Sequence, residues 1–278
     1  MEGRVAKIRN EAIADARTQT AALALLFPKN GRPDRAAICA AIDKVPRTSV
    51  SFDPGLGDGK TGASWAEGMA GGTVAEANSW LELLVDGLTF DLVGLAPGPA
   101  INAPEIEFRI DCDPDLELGD FDLVGLAPGP HLAGGANSLF VAKVLVGLGC
   151  ELATQIAGVR GFYWFPSRSI TGSGFFRSTV TAWLEGGPFP ALGLSAFRSC
   201  GDGSIESVGL AFFTGQEVRI QSQLAADATI ATRLGIRLVH QLASHGPLNE
   251  TESIVGPDGA GLQLEPIENG QIVLVRAA

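Results

Sequence analysis

Apolar positions along this chain come in short blocks, separated by glycine- and proline-rich stretches, with a single long helical period near the end. Thr20 to Phe27 is an apolar run of strand length, preceded by a polar segment, residues 1–18, that predicts a helical lead-in. A helix follows the run. Pro33 suits its first turn, Asp34 complements its positive end, and Ile38, Ala41, Ile42 and Val45 recur on one face until Pro46 stops it. Thr48 to Phe52 reads as the next strand. Asp53 to Thr73 holds seven glycines and little periodicity, which predicts a loop with at most one short helix around Trp65 to Met69. Trp80 to Val85 and Leu88 to Leu95 flank Asp86-Gly87, a pair that supplies the positive backbone dihedrals of a tight hairpin turn.

The segment Phe90-Asp91-Leu92-Val93-Gly94-Leu95-Ala96-Pro97-Gly98-Pro99 recurs unchanged as Phe121 to Pro130, a period of 31 residues that records a duplication. Each copy predicts a short strand closed by Pro-Gly-Pro, because proline cannot donate to a further ladder position. Beyond it, Gly134 to Glu151 predicts a helix with Leu139, Ala142 and Val146 inward, and Gly161 to Phe165 an aromatic strand. Phe175 to Leu184 is either helix or strand. Ala191 to Ser199 and Ile205 to Phe213 around Gly201 to Ser204 predict a second hairpin, and Glu217 to Gln221 another strand. Ala225 to Ser244 has the helical period, with Ile230, Leu234, Leu238 and Leu242 on the core face and Gly235 as a weak point. Leu262 to Ile267 and Gln271 to Arg276 close the chain as strands.

Hairpins outnumber crossovers in this pattern, so the expected class is α+β: a mostly antiparallel sheet with helices packed on it, in two similarly built halves. The expected division is a lead-in at 1–18, a first half at 19–115 and a second at 116–278.

Charge narrows the function. The 278 residues carry 31 acidic against 20 basic side chains, a net charge of -11, which repels phosphate backbones and anionic lipid. Neither nucleic acid nor a membrane surface is an expected partner. At 46% hydrophobic and 18% charged, the chain has enough apolar content to fold. Lys143 interrupts the longest apolar stretch, Leu139 to Cys150, and the charges from Glu2 to Arg17 do not follow the order of a signal peptide, so a cytoplasmic location is expected. Cys39, Cys112, Cys150 and Cys200 are widely separated and lack metal-ligand spacing, which predicts free thiols and no zinc.

Three segments of the second half stand out together: Phe162 to Ser167, an aromatic strand with a nearby serine; Ser207 to Glu217, a Gly-Leu segment leading to a downstream glutamate; and the long helix with its polar turn Asn249 to Ile254 and closing apolar strand. In this combination they resemble a bacterial family, domain of unknown function family 4261. The likeness runs over residues 159–276 and more loosely over 20–115. Ser207 stands where the family has threonine, Thr214 where it has glycine, and the second decapeptide copy takes the place of a histidine-containing strand. The resemblance implies the fold and supplies no catalytic residue.

Candidate chemistry is sparse. Pro54 to Thr61 approaches a phosphate-binding loop, but Pro54 replaces its first glycine and Asp58 would face the anion. Asp111, Asp113 and Asp115 alternate like the start of a calcium loop, with Asp122 at the distance of its last ligand, although Leu116 occupies the glycine position. His131, His240 and His245 have no nucleophile motif beside them. Tyr163, Ser167, Glu206 and Glu217 form a polar pocket if the aromatic strand neighbours the second hairpin. The expectation is therefore a non-catalytic module without a cofactor that binds another protein or itself. The alternative is a hydrolase-like small-molecule enzyme working at Tyr163, Ser167 and Glu217.

Overall fold

The computed structural model describes residues 21–56, 79–102, 105–113, 116–257 and 259–278. The expected lead-in helix over 1–18, the helix around Trp65 to Met69 and the phosphate-loop candidate from residue 57 onward lie outside them. Two sheets organise the rest. The first contains β1 (Leu23–Pro28), β2 (Thr48–Phe52), β3 (Trp80–Val85), β4 (Leu88–Val93), β5 (Phe108–Ile110), β6 (Phe121–Pro128), β7 (Gly161–Trp164) and β8 (Ser169–Gly172), in the order β2-β3-β4-β6-β1-β7-β8-β5. The second contains β9 (Ala196–Ser199), β10 (Ile205–Val208), β11 (Glu217–Ile220), β12 (Glu252–Val255), β13 (Gly261–Ile267) and β14 (Ile272–Ala277), in the order β12-β13-β14-β11-β10-β9. Only the β5–β8 and β11–β14 pairs are parallel among the described strands. The class is α+β, as the excess of hairpins predicts.

The described α-helices are α1 (Arg35–Ile42), α2 (Leu139–Gln155) and α3 (Ser173–Leu184), the short α4 (Ala191–Leu194) and α5 (Ala211–Thr214), and α6 (Ala228–His245). Their starts follow local chemistry. Asp34, Ser138 and Asp227 are N-caps that accept from backbone amides of the first turn, at 2.8 Å for Ala37, 3.3 Å for Val141 and 2.8 Å for Thr229.

The boundary expected at residue 116 does not part the sheets. β6, β7 and β8 all join the first sheet, and the division falls between Gly172 and Ala196. The decapeptide explains this, because its two copies are hydrogen-bonded neighbours that carry the first sheet across that boundary. Phe90 faces Pro128, Asp91 faces Ala127, Leu92 faces Leu126 and Val93 faces Gly125. Position one of the repeat thus meets position eight, two meets seven, three meets six and four meets five, so the duplicated strand pairs with itself about a local two-fold axis. The symmetry breaks at Gly94, whose φ of +85° turns the first copy out of the sheet. The Ile101 amide then donates to Leu123 in its place.

Both faces of the first sheet are covered. One carries the main core, which continues through α2, α3 and α6 to the second sheet. On the other, Ala24, Leu26, Ile101, Leu123, Tyr163 and Ile170 form a smaller cluster under the segment between β4 and β6. Aromatic rings join the sheets: Trp164 of β7 meets Phe212 edge-on at 5.5 Å and stacks on Phe213 at 6.1 Å.

Several local expectations change or resolve. Ala191 to Leu194 and Ala211 to Thr214 are helical turns rather than strand. The first contains no β-branched residue, and the amides opening the second are held by a carboxylate. Phe175 to Leu184 resolves as helix α3. Ile230 is 59% exposed, while Ala231, Leu234, Leu238, Val239 and Leu242 are buried, because a strict spacing of four drifts around the helix. Strands β5, β8 and β12 have no expected counterpart, being too short for their periodicity to register.

Candidate functional site

Glu206 lies at the centre of a charged row that links the two sheets. β10 sits between β9 and β11, and its register places Glu206 opposite Arg198 on one side and Arg219 on the other. Arg198 Nη2 reaches Glu206 Oε1 at 2.6 Å, and Arg219 Nη2 reaches Oε2 at 2.6 Å. Arg219 Nη1 continues to Glu268 at 2.8 Å, and Arg198 Nη1 lies 3.8 Å from Glu107, which also pairs with Arg168. Glu107 and Arg168 precede β5 and β8 of the first sheet, so three glutamates and three arginines alternate across the junction.

Burial raises the Glu206 pKa, but hydrogen bonds from Arg198 and Arg219 outweigh it and hold the carboxyl below its ordinary range. The same bonds raise Arg198, and Glu268 with Glu206 raises Arg219. Both Glu206 oxygens already accept from guanidinium, which leaves a group suited to joining strands and unsuited to proton transfer.

Glu217 is equally occupied. Its carboxylate accepts from the Gly209, Leu210 and Ala211 amides, at 2.8, 3.2 and 2.9 Å, and from the Ser207 hydroxyl. It is the cap of α5 supplied from the neighbouring strand. Ser167 is fully buried and its Oγ lies 2.7 Å from Ser169 Oγ. It stands close to the α5 turn, since a Cβ on Gly209 would fall 2.8 Å from Ser167 Cβ. Tyr163 is also fully buried, but on the opposite face of the sheet, edge-on to Phe165 at 4.9 Å, and burial pushes its phenol up to about 12. The structure therefore brings Ser167 near the Glu217 turn and does not bring Tyr163 to them. Tyr163 does not reach the rim of a pocket, because the cover over the smaller cluster buries it.

The other candidates resolve singly. Asp53 turns the start of the phosphate-loop candidate by accepting from Gly55 at 2.9 Å and pairing with Arg35 at 2.6 Å. Asp86 sits in the hairpin turn and pairs with Arg47. Asp111 and Asp113 are exposed, and Asp115 lies outside the described residues. Asp122 cannot complete a calcium loop with them, because Lys29, Arg32 and the Asn30 amide hold it. Among the described residues no group of three His, Cys, Asp or Glu side chains is placed to hold a metal ion. His240 accepts from the Phe189 amide at 3.0 Å and His245 caps its own helix through Gln241.

A shallow depression of about 460 Å³ is lined by Thr214, Gln216, Leu248, Asn249, Asn269 and Gly270. Its one buried polar side chain is Gln216, which donates to Leu248 and Gly270 and accepts from the Leu248 amide. That glutamine is a tie between loops.

Sequence reading missed Arg198, Arg219, Arg168, Glu107 and Glu268. A signal for the first was present: closing the second hairpin through Cys200 to Ser204 places Arg198 directly across from Glu206. No helix among the described residues is long and apolar enough to cross a membrane. No family model matches the chain, and neither a curated protein nor a solved structure does.

Proposed function

We propose that this chain is a non-catalytic module that binds another protein or itself in the cytoplasm, without a cofactor. The observation that carries the reading is the engagement or burial of the four pocket candidates. Glu217 accepts from four donors, Glu206 from two guanidiniums, Ser167 bonds Ser169 in the core, and Tyr163 is buried on another face. Large apolar side chains are meanwhile left at the surface, among them Phe140 at 63% exposure and Val255 at 62%. A net charge of -11 disfavours nucleic acid and anionic membrane as the partner.

Descent from the domain of unknown function family 4261 belongs to the same proposal, supported by the segments Phe162 to Ser167 and Ser207 to Glu217. The test pairs affinity capture from a bacterial lysate with a thermal-shift screen of metabolites. A stoichiometric protein partner or a homo-oligomer is the expected result. A small molecule that raises the melting temperature progressively with its concentration would move the reading to an enzyme.

A further inference from the structure

The outward ridge of α2 is self-complementary, and we infer that it pairs with the same ridge of a second copy. The inference rests on the protein-binding reading above and names its partner and surface.

Phe140, Val144, Gly147, Glu151 and Thr154 follow one another at spacings of four and three, so they share one side of α2. The opposite side, with Val141, Ala142, Leu145, Val146 and Leu148, is buried in the core. Phe140 is 63% exposed. Beside the ridge, Leu184 of α3 is 43% exposed and rests against Gly147, where a Cβ would come within 3.2 Å of its Cδ1. Leu184 thus fills the space over Gly147, and with Phe140 it gives the surface two exposed apolar groups.

The charges choose the occupant. Lys143 lies four residues before Gly147 and Glu151 four residues after it. With Gly147 on a two-fold axis and the helices antiparallel, Lys143 of each copy faces Glu151 of the other, which makes two ion pairs from one geometry. Glu151 is exposed and forms no ion pair among the described residues, and Lys143 is half-buried with its ammonium over the Trp183 ring at 4.9 Å. The next shell obeys the same symmetry. Phe140, seven residues before Gly147, faces Thr154, seven after it, whose hydroxyl already holds the Arg177 guanidinium at 2.9 Å. A guanidinium brought to an aromatic ring is a favourable contact.

Sedimentation equilibrium of the full chain, at concentrations up to about 100 μM, tests this. A dimer is expected. Lys143→Glu and Glu151→Lys should each raise the dimer dissociation constant about tenfold, since each reversal turns two attractions into repulsions. Combining them should restore the wild-type constant. Glu151 is exposed and Lys143 half-buried, so unchanged far-ultraviolet circular dichroism and melting temperature of each variant will certify the fold; Phe140→Ser should weaken the dimer independently. A chain that stays monomeric, or a dimer indifferent to the reversals, overturns the pairing. Monomers that still capture another protein overturn the pairing alone, whereas monomers that capture nothing and respond to a metabolite overturn the protein-binding reading as well.

Discussion

Gly235 of α6 lies flat against the ring of Phe197 on β9, so that a Cβ at that position would fall 2.5 Å from Cε1 and 2.9 Å from Cζ. By propensity alone, alanine there would stabilise the helix by about 1 kcal/mol. The contact reverses the sign. Gly235→Ala should lower stability by about 1 to 2 kcal/mol, as overpacking between helix and sheet displaces the ring. Chemical denaturation will measure it, and adding Phe197→Leu should recover most of the loss if the ring is the obstacle.

That residue shows where sequence reading stops. Periodicity located α6, the two decapeptide strands, both final strands and the tight hairpin at Asp86-Gly87, because each has enough residues or a distinctive turn pair to betray it. It read Gly235 as a weak point because the neighbour across the sheet is 38 positions away. The same limit hid the site geometry. Tyr163 and Trp164 do face opposite ways, as strand alternation requires, yet only the structure reveals that both faces are covered. Glu206 was visible as a candidate, whereas Arg219 faces it across the antiparallel β10–β11 pair only because the α5 turn brings those strands together, and Glu268 reaches Arg219 through the parallel β11–β14 pair that no local pattern encodes.

Trp164→Ala and Tyr163→Ala should both behave as core truncations, at about 3 to 5 kcal/mol each. Their rings lie in separate clusters on the two faces of β7, so the losses should be close to additive in the double variant. Urea titration at constant slope is the measurement; a cheap Tyr163→Ala would mean that the cover over the smaller cluster opens in solution.

Tyr163 also offers a spectroscopic readout, being the single tyrosine of the chain. Its phenol is raised to about 12 by burial, with Glu107 adding to the effect and Arg168 opposing it. The unfolded chain ionises near pH 10, so the folded state holds its proton more tightly. Stability should be complete below pH 10 and decline as pH rises toward 12. Absorbance at the tyrosinate band should remain flat through pH 10 in the native protein and rise there in denaturant.

At the acid end the sign is opposite. Glu206 and Asp122 both have lowered pKa values in the fold, burial being outweighed by hydrogen bonds from Arg198 and Arg219 in one case and from Lys29, Asn30 and Arg32 in the other. Their stabilisation is present above the unfolded carboxyl values near pH 4 and is lost as pH falls through the folded values. Glu206→Gln should cost about 2 kcal/mol at pH 7, because two guanidiniums lose their counter-charge. It should also flatten the acid limb of stability against pH. An unchanged limb would assign acid unfolding to other carboxylates.

Glu217 separates structure from catalysis most directly. Gln at this position keeps the shape of the side chain, but one of its two terminal atoms becomes an NH2 donor facing amides that are themselves donors. The Gly209 and Ala211 amides point at Oε1, and the Leu210 amide and Ser207 hydroxyl at Oε2, so neither orientation of the amide avoids a clash of donors. Glu217→Gln should therefore cost about 2 to 3 kcal/mol. The turn it holds carries Phe212 and Phe213 against Trp164, so loosening it should also alter near-ultraviolet circular dichroism from the tryptophan. A catalytic acid or base would behave differently: its replacement by glutamine would leave the melting temperature and the Trp164 signal in place and abolish turnover of any substrate found by thermal shift. Melting both proteins under the same conditions decides between the two roles, and a large loss of stability with a changed aromatic signal assigns Glu217 to the fold.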